Sequence, residues 1–145
     1  CVIPSDGTSS MNPMLLFHGD SILPGMLEHE KNPLLKLGLR VVGPKLFRYY
    51  PYRETYLLDN ARRIRDQVKR GQVCYIGGVS SNESIARVME AGFDFIQLGR
   101  PLLFDPDFVL HAQADAGYVN GCTHCNLCAT LIEAPGGIRC VLRDE

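Results

Sequence analysis

Four cysteines near the end of the chain form the densest set of chemically competent side chains: Cys122-x2-Cys125-x2-Cys128-x11-Cys140. Three closely spaced thiolates can wrap a loop around an iron–sulfur cube, and a distant fourth can close it, which is the ligation pattern of a [4Fe–4S] cluster. Tetrahedral zinc is chemically open to the same set, although zinc sites more often pair two ligands on each side, and His124 could replace one thiolate. Plain packing is the third reading. Of the other two cysteines, Cys74 lies in an apolar run and reads as a small core residue, and Cys1 reads as strand packing or as facing a pocket.

A second constellation pairs two glycine-rich turns. Ile76-Gly77-Gly78-Val79-Ser80-Ser81 runs from an apolar stretch into a helical pattern, and Leu98-Gly99-Arg100-Pro101 ends the next apolar stretch. Glycines let a phosphate approach backbone amides, and a helix N-terminus adds unpaired N–H groups. Arg100 supplies a planar fork suited to phosphate oxygens. Together, one strand–helix unit apart, the two turns predict a phosphate site at Gly77, Gly78, Gly99 and Arg100. The bland alternative is two tight corners with Arg100 paired to a carboxylate such as Asp105.

The elements that must position these groups alternate. Glu54–Arg70 places Leu57, Ala61, Ile64 and Val68 at helical spacing, and Gly71 follows as a C-cap. Val73–Ile76 reads as a buried parallel strand. Ser80-Ser81-Asn82-Glu83 has the form of a capping box, opening a helix with Ile85, Val88 and Met89 inward. Phe93–Leu98 is a further strand, and Asp107–Ala116 a further helix. Before Glu54 the reading is looser: Cys1–Pro4 is a short strand, Ser5–Ser10 a polar loop, and Met26–Leu35 a helical turn or two limited by Pro33. Gly38–Gly43 suits a strand or a loop, and Phe47–Tyr52 is an aromatic loop that packs over a rim or lines a pocket. Ser5 and Asp6 suit a pocket edge or a turn. His18, His29 and His111 read as surface or hydrogen-bonded residues. Strand–helix alternation with short connections implies a parallel sheet with right-handed crossovers.

Composition narrows the class. The chain has 145 residues, 46% hydrophobic and 21% charged, with a net charge of −1 and no basic stripe, so a nucleic-acid partner is not indicated. It holds no apolar run of membrane-spanning length. Clustered cysteines without a disulfide-scaffold pattern suggest a reducing, cytoplasmic setting.

The stretch VCYIGGVSSNESIARVMEAGFDFIQLGRPLLFDPDFV, residues 73–109, resembles the last two strand–helix units of the old yellow enzyme family of NADH:flavin oxidoreductases. CTHCNLC, close to but distinct from the usual CIGCN, resembles the subset containing dienoyl-CoA reductases and trimethylamine dehydrogenase, whose [4Fe–4S] cluster relays electrons to FMN. The resemblance implies an α/β fold: the C-terminal portion of a (β/α)8 TIM barrel, about strands six to eight, over residues 1–116, with a cysteine-rich tail over 117–145. A whole barrel needs roughly 250 residues, so the expectation is an incomplete, poorly soluble piece.

Within that expectation FMN is the cofactor, its phosphate held at Gly77, Gly78, Gly99 and Arg100, and Cys122, Cys125, Cys128 and Cys140 are the ligands of a [4Fe–4S] cluster. Hydride would pass from NAD(P)H to an activated C=C of a small-molecule substrate. A homo-oligomer is compatible with it. The family's proton donor lies on earlier strands, so no catalytic residue is assigned. A different phosphate-binding barrel enzyme, or a non-catalytic iron–sulfur or zinc module, are the competing readings.

Overall fold

The computed structural model describes residues 1–6, 13–132 and 134–143; most of the expected polar loop, residues 7–10, lies outside them. The chain divides into two compact units, Cys1–Asp6 with Tyr52–Cys122, and Gly7–Pro51 with Thr123–Glu145. The boundary anticipated between residues 116 and 117 does not coincide with this partition. Residues 117–122 fold with the strand–helix unit, and the later part of the tail folds with the segment before Pro51.

In the first unit, apolar runs form short parallel strands. β1 (Cys74–Ile76) pairs with β2 (Phe95–Gln97) in the register Cys74↔Phe95, Tyr75↔Ile96 and Ile76↔Gln97. Val2 makes a parallel bridge to Val73, donating to Gln72 O and accepting from Cys74 N at 2.8 Å each. Three parallel segments therefore lie side by side in chain order. Leu57, Leu58, Ala61, Val73, Tyr75, Val79, Val88 and Phe93 form the core. The Tyr75 ring meets Phe93 edge-on, with centroids 5.3 Å apart, and its hydroxyl donates to Gly77 O at 2.6 Å. Burial pushes the Tyr75 phenol well up.

The helix expected over Glu54–Arg70 is shorter, Leu58–Arg65 (α3 in chain order), because residues 54–57 form turns and Thr55 takes a left-handed φ of 52°. Leu57 and Ala61 are buried as the spacing implies, whereas Ile64 is 44% exposed. The next helix, α4 (Asn82–Glu90), buries Val88 fully but leaves Met89 46% exposed. Its capping box is shifted by one residue. Ser81 is the N-cap and Ser84 the reciprocal partner, in place of Ser80 and Glu83. A serine hydroxyl at the third helical position reaches back to the cap amides as a glutamate side chain would. After β2 follow α5 (Arg100–Phe104) and α6 (Phe108–Ala114). Asn82 Nδ2 donates to Ala112 O and Asp115 O, both at 2.7 Å, and ties α4 to the end of α6.

The second unit corrects the looser reading of the first fifty residues. Leu23–His29 is α1, and Pro33–Leu46 is α2, a 14-residue helix running through the stretch read as a strand or loop. Pro33 does not limit a helix here because it sits in the first turn, where its missing N–H costs nothing. Asn32 caps that turn, accepting from Leu34 N at 3.0 Å. Gly43 lets α2 approach α1, since a Cβ there would meet Leu23 Cδ1 at 2.6 Å. Leu34, Leu35, Leu37, Val41 and Val42 of α2 are exposed. Among the described residues no helix is long and apolar enough to cross a membrane.

Candidate functional site

Because β1 and β2 are parallel and in register, Gly77-Gly78 and Leu98-Gly99-Arg100 leave the sheet at the same end. The two glycine turns serve different purposes there. Gly77 and Gly78 have φ of 126° and 73°, which side-chain-bearing residues rarely adopt. A Cβ at Gly77 would meet Leu57 Cγ at 2.9 Å, and one at Gly78 would meet Tyr56 Cδ1 at 2.7 Å and Arg53 O at 2.9 Å. These glycines admit the segment Arg53–Leu57 against the strand end. Gly99 differs: a Cβ there would find nothing within 4 Å. Its backbone is open beside Arg100, which lies near enough to Tyr56 to pull its phenol down against burial.

The N-terminus of α4, expected to offer open amides, is instead satisfied from within. Ser80 N and Ser81 N donate to Ser84 Oγ at 3.1 and 3.0 Å, Ser84 N to Ser81 Oγ at 3.1 Å, and Asn82 N to Tyr118 O at 3.3 Å. The Ser80 and Ser81 hydroxyls donate to the two oxygens of Glu54 at 2.7 and 2.8 Å. A carboxylate of this chain thus occupies the place where a helix terminus would attract a phosphate. Tyr52 shares a hydrogen bond with Ser80 at 2.9 Å. Burial raises the Tyr52 and Tyr56 phenols above their ordinary value, with Arg100 pulling both down. Of the residues expected to hold a phosphate, Gly99 has open space where a Cβ would stand, with Arg100 next to it in the chain. Gly77 and Gly78 shape the wall beside them. Glu54 and Tyr56 were not singled out by the sequence, where 26 or 27 residues separate Glu54 from Ser80 and Ser81.

Asp105 is not left to pair with Arg100 in the way the bland reading supposed. Its carboxylate accepts from the Tyr118 hydroxyl at 2.6 Å, faces His111 Nδ1 at 2.7 Å and accepts from Asp107 N at 3.1 Å. The Tyr118 and His111 bonds hold its carboxyl below the usual range. A cleft of about 250 Å³ is lined by Pro4, Ser5, Asp6, Leu57, Asn60, Ala61 and Ile64, so Ser5 and Asp6 do edge a pocket.

The cysteines divide between the units. Cys74 is buried in β1 and its thiol is pushed up by burial. Cys122 closes the first unit, its amide donating to Asn120 Oδ1 at 3.0 Å. Cys125, Cys128 and Cys140 belong to the second, where His124 and Asn126, flanking Cys125, have left-handed φ of 58° and 60°. Asn126 is 1% exposed and donates to Phe17 O and Asp20 O at 3.0 and 2.9 Å, while Asp20 N donates to His124 O at 3.1 Å. Gly19 packs directly on the His124 carbonyl. The aromatic loop also contributes to this packing: Tyr50 bridges Gly19 and stacks on His18 at 5.5 Å, and His18 Nδ1 lies 3.3 Å from Pro51 O. Among the described residues no group of three or more His, Cys, Asp or Glu side chains stands in metal-holding geometry.

No family model matches the chain. Among curated proteins it is similar to a 4,4'-dithiodibutanoate disulfide reductase of Rhodococcus erythropolis, 36% identical over 138 residues, which is 95% of this chain and 33% of that protein. The chain therefore spans about a third of the length of this curated relative, which by its name is an oxidoreductase. No solved structure matches.

Proposed function

We propose that the chain is part of a flavin-dependent oxidoreductase, in which the first unit supplies neighbouring strands of a (β/α)8 barrel and the end of the site that grips the FMN phosphate. The observation that carries this reading is the open Gly99 backbone beside Arg100, at the sheet end shared with Gly77-Gly78. Phosphate sites of barrels lie at this end of adjacent strands. The three parallel segments run in chain order, and Val2, Ile3 and Phe95 on the outer ones are 43 to 49% exposed, as suits a sheet continued by further strands. The general class accords with the similarity to a disulfide reductase.

A bound flavin supplies reversible hydride acceptance. This chain's part is to hold it: the Arg100 fork neutralises phosphate charge, the Gly99 backbone allows close approach, and the Tyr75 bond to Gly77 O keeps the strand end rigid. No residue of this chain is assigned the proton-donating role. For the substrate, the relative's name favours a disulfide over the activated C=C implied by the family resemblance. The balanced reaction is then NAD(P)H plus a proton plus a disulfide giving NAD(P)+ and two thiols.

Anaerobic purification of the full-length protein, followed by its visible spectrum and iron content, tests the reading. The expected result is a flavin spectrum, and faster NAD(P)H oxidation with 4,4'-dithiodibutanoate than with an α,β-unsaturated ketone. About four irons per chain would assign the cysteines to a [4Fe–4S] cluster. A colourless protein that takes up no FMN would overturn the reading.

A further inference from the structure

α2 packs through one side and leaves the other apolar and exposed. Gly43 packs on Leu23 of α1, and the half-buried Leu39 and Leu46 share that side. Leu34, Leu37 and Val41 follow the i, i+3, i+7 row on the far side, and Leu35 and Val42, seven residues apart, widen it. All five are 53 to 79% exposed. Gly38 lies between the two rows, and nothing stands within 4 Å of where its Cβ would be. No polar side chain interrupts this arc before Lys45 in the last turn.

The charge around the arc is of one sign. Between Glu30 and Glu54 the chain carries Lys31, Lys36, Arg40, Lys45, Arg48 and Arg53 and no acidic residue, whereas the whole chain holds 15 basic and 16 acidic residues. Glu30, just before the helix, has its carboxylate turned to Asn32 N at 2.6 Å. Lys36 and Arg40, four residues apart, edge the arc on one side.

We propose that α2 is a docking face for an anionic lipid surface, its leucine and valine arc entering the headgroup boundary while Lys36, Arg40 and Lys45 meet lipid phosphates. This does not depend on the flavin reading. A basic helix with an exposed aliphatic face lies in the plane of such a surface. At 14 residues α2 is about 21 Å long, shorter than the roughly 30 Å hydrocarbon core, so it rests on a bilayer and does not span it. Long cationic side chains reach back to the headgroups while their stems cover apolar surface. Tyr49, exposed just past the helix, suits the same level. Charge decides against a second copy as the occupant. Pairing α2 with itself would set cations against cations with no acidic residue of the helix to offset them.

The test mixes the full-length protein with sucrose-loaded vesicles of phosphatidylcholine and phosphatidylglycerol in equal parts, or of phosphatidylcholine alone, and reads the sedimented fraction. Binding is expected to the mixed vesicles, weakening with added salt, and none to phosphatidylcholine alone. Leu37→Gln with Val41→Gln should weaken it about thirtyfold. Lys36→Gln with Arg40→Gln should weaken it about twentyfold, at about fivefold for each cation. None of the four side chains is buried, so both variants should keep the unmodified unfolding midpoint. The proposal fails if the full-length protein does not sediment with the mixed vesicles, sediments equally with both kinds, or binds as before in either folded variant. A dimer that Leu37→Gln with Val41→Gln splits, with no vesicle binding by the unmodified protein, would assign the arc to a second copy and overturn it.

Discussion

The strand ends of the first unit and the cysteine loop of the second make an instructive pair. At the strand ends, glycine, arginine and tyrosine residues converge because two parallel strands in register must leave the sheet together. The cysteine loop has the more regular spacing, yet its thiols stand in no metal-holding group among the described residues. Its shape is set by residues about a hundred positions away, through Asn126 to Phe17 and Asp20, and through Gly19 against His124. Regular spacing describes what a loop could bind, whereas backbone pairing dictates what it brings together.

The contrast can be broken most sharply at Gly19. With φ of 132° and the His124 carbonyl against it, Gly19→Ala adds both backbone strain and overpacking. A loss of about 3 kcal/mol in unfolding free energy is expected, read by denaturant titration. An unchanged midpoint would mean that the loop is not clamped by this segment. Gly78→Ala is expected to cost slightly less, about 2 kcal/mol, because the Tyr56 ring can retreat although Arg53 O cannot. An unchanged midpoint would mean that Tyr56 and Arg53 do not press on Gly78.

Legibility followed the same division. β1, β2 and α4 could be read because a short apolar run, a pair of glycines and a cap are local signals. The capping box was displaced by one residue because Ser84, not Glu83, reaches back to the cap amides. α2 was missed since Pro33 reads as a breaker until Asn32 is seen to cap it, and Gly38 and Gly43 dilute the helical signal. Gly77, Gly78, Gly99 and Arg100 were visible as a set, but the division of labour within it was not. Gly78 faces Tyr56 and Gly99 faces open space, and no spacing encodes that.

A smaller effect concerns pH. The Tyr118 and His111 bonds depress the folded-state pKa of Asp105, so it adds stability above the ordinary carboxylate range. That contribution is lost as pH falls through the depressed value. Asp105→Asn should flatten this part of the stability profile below the ordinary carboxylate range. A variant profile parallel to the original would show that the Tyr118–Asp105–His111 arrangement does not couple folding to protonation.

Arg100 is proposed to grip a cofactor phosphate at the open Gly99 backbone. The most direct test is the affinity of full-length apoprotein for FMN and riboflavin before and after Arg100→Met. About a hundredfold loss is expected for FMN, the size of a charge-assisted bidentate contact, with riboflavin unaffected. Equal losses for both flavins, or none for FMN, would contradict it.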